Sequence, residues 1–408
     1  MERTYKRIFL FTQSYPYSNS EVFVERELNY LSNYFDEVII FPLNKSNSLP
    51  RPIPENVRII EIEENLEINE NKFILILSNS LKIINLFYNE FTTHPISTIK
   101  NLKTFISDVI NQIKIAKNIK NKFLELYSNE TILYSFWFDR WIIILSFILH
   151  SKLNVKLYSR THAFDLYEED NKNGYILYRK YQLKNINKVY SVSKHGEYYL
   201  KNKYQYFKNK IYTSYLGTLP HNNFNQLKVS SDNFIIISCG SVQKRKRTLE
   251  FVNVLNNLPT NFKWIHFGDG PDFNELVNKI NLKKLEQRVV LMGQVDNNIF
   301  MNYLKNNSIN LFLSLSSNEG LPYSMMEAIS FGIPLMATNV GGCAEICNNN
   351  TGILIEKDFD VKNVAEKIIN FSNSYMNTQS FRYGIRKFWE EYFNAEKNYY
   401  EFYKAIST

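Results

Sequence analysis

Apolar positions along the chain follow two rhythms. Short, mostly apolar stretches at 8–12, 38–42, 57–62 and 131–136, and more mixed ones at 157–161 and 189–193, read as strands, with a last short strand at 212–214. Helical spacing lies between them, as in Val22, Val24, Leu28 and Leu31. The same alternation returns at 234–239, 264–268, 289–292, 309–315, 335–338 and 352–355, with helical stretches at 248–258 and 381–406. Gly217 and Pro220 with Asn222 and Asn223 mark a linker between the two series. Strand–helix alternation predicts an α/β chain of two doubly wound, Rossmann-like domains facing a cleft, with ligands at the C-terminal ends of the strands. The expected divisions are 1–215, 216–385 and a helical tail over 386–408.

The stretch 318–332, NEGLPYSMMEAISFG, organises the second series. It follows the strand at 309–315, and Pro322 suits the first turn of a helix because its missing N–H would lack a partner there anyway. Glu319 then sits in the strand-to-helix loop and Glu327 roughly 7 Å further along, inside the helix. Backbone amides of Gly320, Leu321, Tyr323 and Ser324, on either side of Pro322, mark a helix start where an anion can bind. Carboxylates that accept hydroxyl protons, beside amides that hold phosphate, suit a phosphorylated sugar. The bland alternative is an ordinary strand–loop–helix with two surface glutamates.

Upstream, the strand at 234–239 runs into Gly240, Ser241 and the cluster Lys244, Arg245, Lys246 and Arg247. Such charge at a strand-to-helix turn suits a diphosphate, or is a solvated basic loop. In the first series His162 falls where a strand hands over to a loop, followed by Asp165 and Glu168. These acids either bind acceptor hydroxyls or cap the next helix. The loop 13–20 leads into Glu21 at the same sheet edge.

Composition narrows the picture. The 408 residues suffice for two domains, and 44% apolar residues exclude bulk disorder. A net charge of +8 admits nucleic acid, anionic lipid and anionic small molecules without choosing among them. Cys239, Cys343 and Cys347 form no disulfide framework or zinc pattern, and no metal or cofactor site is expected. The N-terminus reads as no secretory signal, and the longest apolar run, 141–149, is too short to span a bilayer. A cytoplasmic protein is expected, with peripheral attachment to the inner face of the plasma membrane as a further option. If 99–122 is one helix, Lys100, Lys103, Lys114, Lys117 and Lys122 line one side beside Ile99, Leu102, Ile106, Ile110 and Ile113. That helix either lies on anionic lipid or packs on the sheet with a solvated lysine edge; the second is the simpler reading.

The order Glu-Gly-x-Pro-x-Ser-x-x-Glu-Ala from Glu319, followed by Gly332-Ile-Pro334, resembles the Glu-x7-Glu motif of retaining glycosyltransferases of family 4, which have the GT-B fold. The resemblance implies Glu319 at the donor sugar and Glu327 on the ribose of the nucleotide. Lys246 matches the family's diphosphate lysine, while Ser241 replaces its arginine, and Lys244 or Arg245 would supply that charge. Gly293-Gln294-Val295-Asp296 resembles the loop that holds the nucleobase through backbone contacts. His162 in Arg-x-His-x-x-Asp resembles the family's histidine that hydrogen-bonds the donor sugar. The first loop lacks the family's Gly-Gly pair and resembles a polysaccharide-assembly branch, with Ser20, Glu21 and Asp165 as acceptor contacts. The implied activity is retaining transfer of a hexose from a nucleoside-diphosphate sugar, a UDP-sugar preferred, to a glycan or lipid-linked glycan. No Asp-x-Asp stands in a suitable place, so the implied chemistry is metal-independent. The implied setting is capsule, exopolysaccharide or lipopolysaccharide assembly, with an anionic membrane surface as a further partner and no nucleic acid. Two alternatives remain open: a nucleotide-sugar epimerase of similar architecture, and a non-enzymatic polyanion-binding protein.

Overall fold

A computed structural model describes residues 7–17, 21–45, 49–62, 72–149, 155–171, 174–227 and 233–408. The chain forms two compact units. The first takes residues up to 192, then 196–214 and 399–408; the second takes 193–195 and 215–398.

The first unit holds seven strands: β1 (Arg7–Thr12), β2 (Glu37–Pro42), β3 (Val57–Ile59), β4 (Thr131–Ser135), β5 (Lys156–Thr161), β6 (Lys188–Ser191) and β7 (Ile211–Thr213). All pair in parallel, in the order β3-β2-β1-β4-β5-β6-β7. Ile8, Phe9, Leu10 and Phe11 are all buried, so both faces of β1 are covered, as unbroken apolar runs require. On one face Phe9, Phe11, Phe41, Phe123 and Trp141 pack ring against ring.

An ion pair holds the other face. Arg160 lies 3.0 Å from Glu27, and both side chains are fully buried. The Tyr134 hydroxyl donates to Glu27 at 3.1 Å, and the Arg160 guanidinium stacks 3.9 Å from the Phe402 ring. Burial raises the Glu27 carboxyl above its ordinary range, and the Arg160 charge opposes that rise. Removing either partner of such a pair costs about 3–5 kcal/mol, because the other charge is left buried alone. Phe402, Tyr399 and Tyr403 belong to residues 399–408, so this pair and its rings fasten that segment to the sheet.

The second unit carries β8 (Phe234–Cys239), β9 (Phe262–Phe267), β10 (Val289–Leu291), β11 (Leu311–Ser314), β12 (Leu335–Thr338) and β13 (Gly352–Ile355). These are also parallel, in the order β10-β9-β8-β11-β12-β13. Strand order reverses between β8 and β11, so their following loops diverge and leave a crevice at the strand C-terminal ends. Gly268 closes the loop end beside it: its φ is +140°, and a Cβ there would lie 2.0 Å from the Gly240 carbonyl.

Several sequence expectations need correction. The strands expected at 57–62 and 309–315 are shorter at their ends. The helix expected over 386–408 is two, Gln379–Tyr392 and Ala395–Ser407. Between them Thr218 donates to the Phe393 carbonyl at 3.0 Å and accepts from the Ala395 amide at 3.1 Å, which diverts the backbone from helical pairing. The lysine-rich 99–122 is likewise broken at Asn101, between helices Pro95–Lys100 and Leu102–Leu126. In the longer helix Phe105, Val109, Ile113, Ala116, Ile119 and Phe123 are buried, so most of it packs on the sheet. Among the described residues, no helix is long and apolar enough to cross a membrane.

Glu90 gives this fold a pH dependence. Its carboxylate is buried and accepts the Tyr178 amide at 2.8 Å, where Tyr178 turns with a φ of 66°. Burial lifts its pKa from 4.5 to about 7, although the Tyr178 amide pulls it back. The folded form therefore holds its proton more tightly than the unfolded chain. The resulting advantage is complete below pH 4.5 and is lost as pH rises through about 7. Glu90→Gln keeps an acceptor and removes the charge. It is expected to be about 1–3 kcal/mol more stable than the parent at pH 8. Urea denaturation should show the gap closing as pH falls toward 4.5.

Candidate functional site

The loops after β8 and β11 meet at the crevice. In the first, a short 3-10 turn, Lys244–Lys246, precedes helix Thr248–Asn256. In the second, Glu319 is only 6% exposed and pairs with two cations from the first. Lys246 Nζ bonds to Glu319 Oε1, and Arg245 Nη1 lies 3.3 Å from Oε2. Arg245 also donates to the Asn318 carbonyl at 2.8 Å, and the Ser317 amide donates back to the Arg245 carbonyl at 2.8 Å. Burial alone would push the Glu319 pKa up, but Lys246 and then Arg245 outweigh it and hold the carboxyl below its ordinary value. Gly240, just after β8, has a φ of +152°, which favours glycine, and the Lys246 side chain packs against it.

Helix Tyr323–Ser330 follows, with Pro322 in an extended conformation at the position before it rather than in the first turn. First-turn amides have no carbonyl of their own helix to pair with. Glu327 lies inside this helix and is 4% exposed. Asn297 Nδ2 donates to Glu327 Oε1 at 2.8 Å. Asn297 begins the helix that follows Gln294 and Val295, so it ties that loop to Glu327. The 316–320 loop is braced from β12: Thr338 Oγ1 donates to the Ser316 carbonyl, and the Gly342 amide to the Gly320 carbonyl at 2.9 Å. A Cβ on Gly342 would lie 2.2 Å from that carbonyl, so only glycine fits. Arg386 bonds to the Ser330 carbonyl, and the buried Arg382 to the Ile309 carbonyl and Asn225. These two arginines clamp both ends of the β11–helix unit.

In the first unit, β1 and β4 flank the corresponding reversal of strand order. Glu21 organises the loops there. Its carboxylate accepts the amides of Gln13 at 3.1 Å, Ser14 at 2.6 Å and Tyr15 at 2.5 Å, and Trp137 Nε1 at 2.5 Å. Asp165 accepts the amides of His162 at 2.6 Å and Phe138 at 2.8 Å. Burial would raise Asp165, but the neighbouring His162 imidazole and these amides hold it low. The His162 ring is stacked on Phe136, 5.1 Å away, and packed against Trp137 at 4.4 Å. Its Nδ1 faces Asp165 Oδ2 at 4.0 Å, and both ring nitrogens are buried without a hydrogen bond. A buried imidazole with neither nitrogen bonded is costly unless something else binds it.

The residues singled out in the sequence therefore separate into groups. Glu319, Lys246, Arg245, Gly240 and Gly320 are brought together, and Glu327 is linked by Asn297 to the loop of Gln294 and Val295. Leu321 and Pro322 are buried, Tyr323 is half-buried, and the Ser324 hydroxyl lies 3.4 Å from the Cys239 carbonyl, at the end of β8. Ser241 stands against Gly270, its hydroxyl 2.7 Å from where a Cβ would be. Lys244 lines, with Arg247, Asp272 and Phe359, a groove of about 820 Å³. Glu21 and Asp165, expected to contact an acceptor, accept main-chain amides of the loops around them and, for Glu21, the Trp137 indole N–H as well. Ser20 lies outside the described residues. Asn297, Arg382 and Arg386 carry no motif signal, and only the tertiary structure reveals them.

Residues 221–388 match the family model of group 1 glycosyl transferases. Over 172 residues, 41% of this chain and 44% of the relative, the sequence is 27% identical to N-acetyl-alpha-D-glucosaminyl L-malate synthase of Bacillus anthracis. Over 181 residues, 44% of this chain and 49% of the relative, it is 29% identical to the O-antigen biosynthesis glycosyltransferase WbnH of Escherichia coli. The chain thus spans less than half the length of these relatives. Among solved structures, HepE of Anabaena in complex with UDP superposes with a TM-score of 0.67 at 15% identity, covering 98% of this chain and 99% of that one. The likeness to solved structures shows the two-domain GT-B fold, and the matches do not favour the epimerase or the polyanion-binding alternative.

Lys246→Met tests the charge balance. With its main cation gone, burial dominates at Glu319 and the fold should lose about 2–3 kcal/mol at pH 7. In the parent, the Glu319 contribution exists above pH 4.5 and fades as pH falls below it, because the folded-state pKa is depressed. The difference between parent and variant, read by urea denaturation, should therefore narrow at pH 4. Adding Glu319→Gln to the variant should restore part of the loss at pH 7.

Proposed function

We propose that this chain is a retaining glycosyltransferase of family 4, transferring a hexose from a nucleoside-diphosphate sugar to a glycan or lipid-linked glycan in cell-surface polysaccharide assembly. The observation that carries the proposal is Glu319, buried yet held ionised by Lys246 and Arg245, eight residues before Glu327. The crevice between β8 and β11 suits a nucleotide, and residues 216–385 are assigned to the donor. A UDP-sugar is the preferred donor, a choice supported by the UDP complex of HepE.

In this mechanism the diphosphate competes with Glu319 for Lys246 and Arg245. Donor arrival then turns the Glu319 carboxylate toward the sugar hydroxyls, while the two cations neutralise the phosphates. Glu327, steadied by Asn297, holds the ribose, with the backbone of Gln294 and Val295 against the base. The bond from the anomeric carbon to the diphosphate oxygen breaks, and its electron pair leaves with the diphosphate. Cationic charge at that oxygen stabilises the transition state more than the ground state. The acceptor hydroxyl attacks from the same face, and its proton passes to the departing phosphate. In the first unit, His162 is assigned to a sugar hydroxyl, consistent with two ring nitrogens that lack hydrogen bonds.

A thermal-shift panel of UDP-, GDP- and ADP-sugars is the direct test. A UDP-sugar is expected to raise the melting temperature selectively, and Glu327→Ala to abolish the shift. Equal shifts for all nucleotides, or a shift unchanged in Glu327→Ala, would overturn the donor site. Glu319→Gln is expected to lower transfer by about 10²–10³-fold. NMR of the product should show the donor's anomeric configuration; its inversion would overturn the retaining mechanism.

A further inference from the structure

Four consecutive helices of the first unit, Lys72–Ser78, Ser80–Thr93, Pro95–Lys100 and the start of Leu102–Leu126, form one layer. Each contacts the next, and the first also touches the fourth. Their outward faces are apolar. In the second helix Leu81, Ile84, Tyr88 and Phe91 are all exposed, Leu81 by 82%. That spacing is one face of a helix. The inward face of the same helix carries Leu86, fully buried, with Ile83 and Phe87 packed on the core and Asn89 and Glu90 buried beside them. The helix thus carries apolar residues on both faces, unlike a helix whose outer face meets water. The other three helices repeat the pattern with Phe73 and Leu77, Ile96 and Ile99, and Leu102 and Ile106, every one exposed.

Such a contiguous apolar surface marks an interaction site. Its charge identifies the occupant. Between residues 72 and 107 the only acid is Glu90, which is buried, whereas Lys72, Lys100 and Lys103 are exposed. The acidic run from Glu63 to Glu70 lies outside the described residues. A second copy docking face to face would set lysine against lysine with no acid to answer. An anionic bilayer offers both requirements: hydrocarbon for the side chains and negative headgroups for the ammonium groups at their edge.

We infer that this layer is a membrane-docking face, which lies on the surface of an anionic lipid bilayer without crossing it. The inference stands on this face alone and does not require the donor chemistry proposed above. It also moves lipid contact from the helix interior at 110–122, which is largely packed, to the segment before it.

The test is co-sedimentation of the full chain with vesicles of phosphatidylcholine alone and of phosphatidylcholine doped with phosphatidylglycerol. Binding is expected to the doped vesicles, at least about tenfold tighter than to the neutral ones. Leu81→Asp/Ile84→Asp should abolish it, and Lys100→Glu/Lys103→Glu should weaken it about tenfold or more. The melting shift with a nucleotide sugar serves as the folding control and should survive in both variants. Loss of that shift in the parent would count against the donor site and leave the vesicle result standing. Absence of vesicle binding by the parent, or binding unchanged in both variants, overturns the inference. So does sedimentation as a dimer that Leu81→Asp/Ile84→Asp dissociates while no vesicle is bound, since the face would then cover a second copy.

Discussion

A carboxylate taken out of water keeps its charge only where cations come to it, and Glu319 is held on those terms by Lys246 and Arg245. The arrangement fixes more than a protonation state. It joins the loops after β8 and β11, which strand order would otherwise send apart. Both loops must then take the conformations that glycines at 240, 268 and 342 allow. The ion pair, the glycines and the reversal of strand order form one constraint at the end of one sheet.

Stiffness around this point comes from two arginines that bind main-chain carbonyls, one of which, Arg386, also pairs with Glu390 at 2.9 Å. Arg382 is buried against carbonyl and amide oxygens, and burial drops its pKa to about 9. Arg386 also binds main-chain carbonyls, at Ser330 and His221. Carbonyls at the ends of strands and helices lack partners of their own, and a guanidinium supplies several donors at once. The first unit reaches a similar result with acids. Glu21 and Asp165 gather amides from several loops, and Glu21 also fixes Trp137, which packs against His162.

Much of this was legible in the sequence. Mostly apolar stretches identify parallel strands buried on both faces, so the two sheets and the position of Glu319 beyond β11 follow from pattern alone. The basic turn that carries Lys246 was readable after its strand, but pattern left it open between a diphosphate site and a solvated loop. The roles of Glu21 and Asp165 were not, since spacing does not say whether a carboxylate meets a ligand or the nearest amides. Asn297, Arg382 and Arg386 were hidden for the same reason: their partners lie 30, 73 and 56 positions away. The helix break at Asn394 depends on the backbone of Thr218, which no local signal reports.

The fastening of residues 399–408 to Arg160 and Tyr134 has a consequence for how the protein is made. A ribosome delivers the whole of the second unit before it delivers Phe402. The usual order, in which the N-terminal domain is finished first, is therefore unavailable. While residues 215–398 emerge and collapse, the Arg160 side of the earlier sheet waits without its aromatic cover, and its ion pair stays wet. Nascent chains of this protein should depend on chaperones for longest at the domain that was synthesised first.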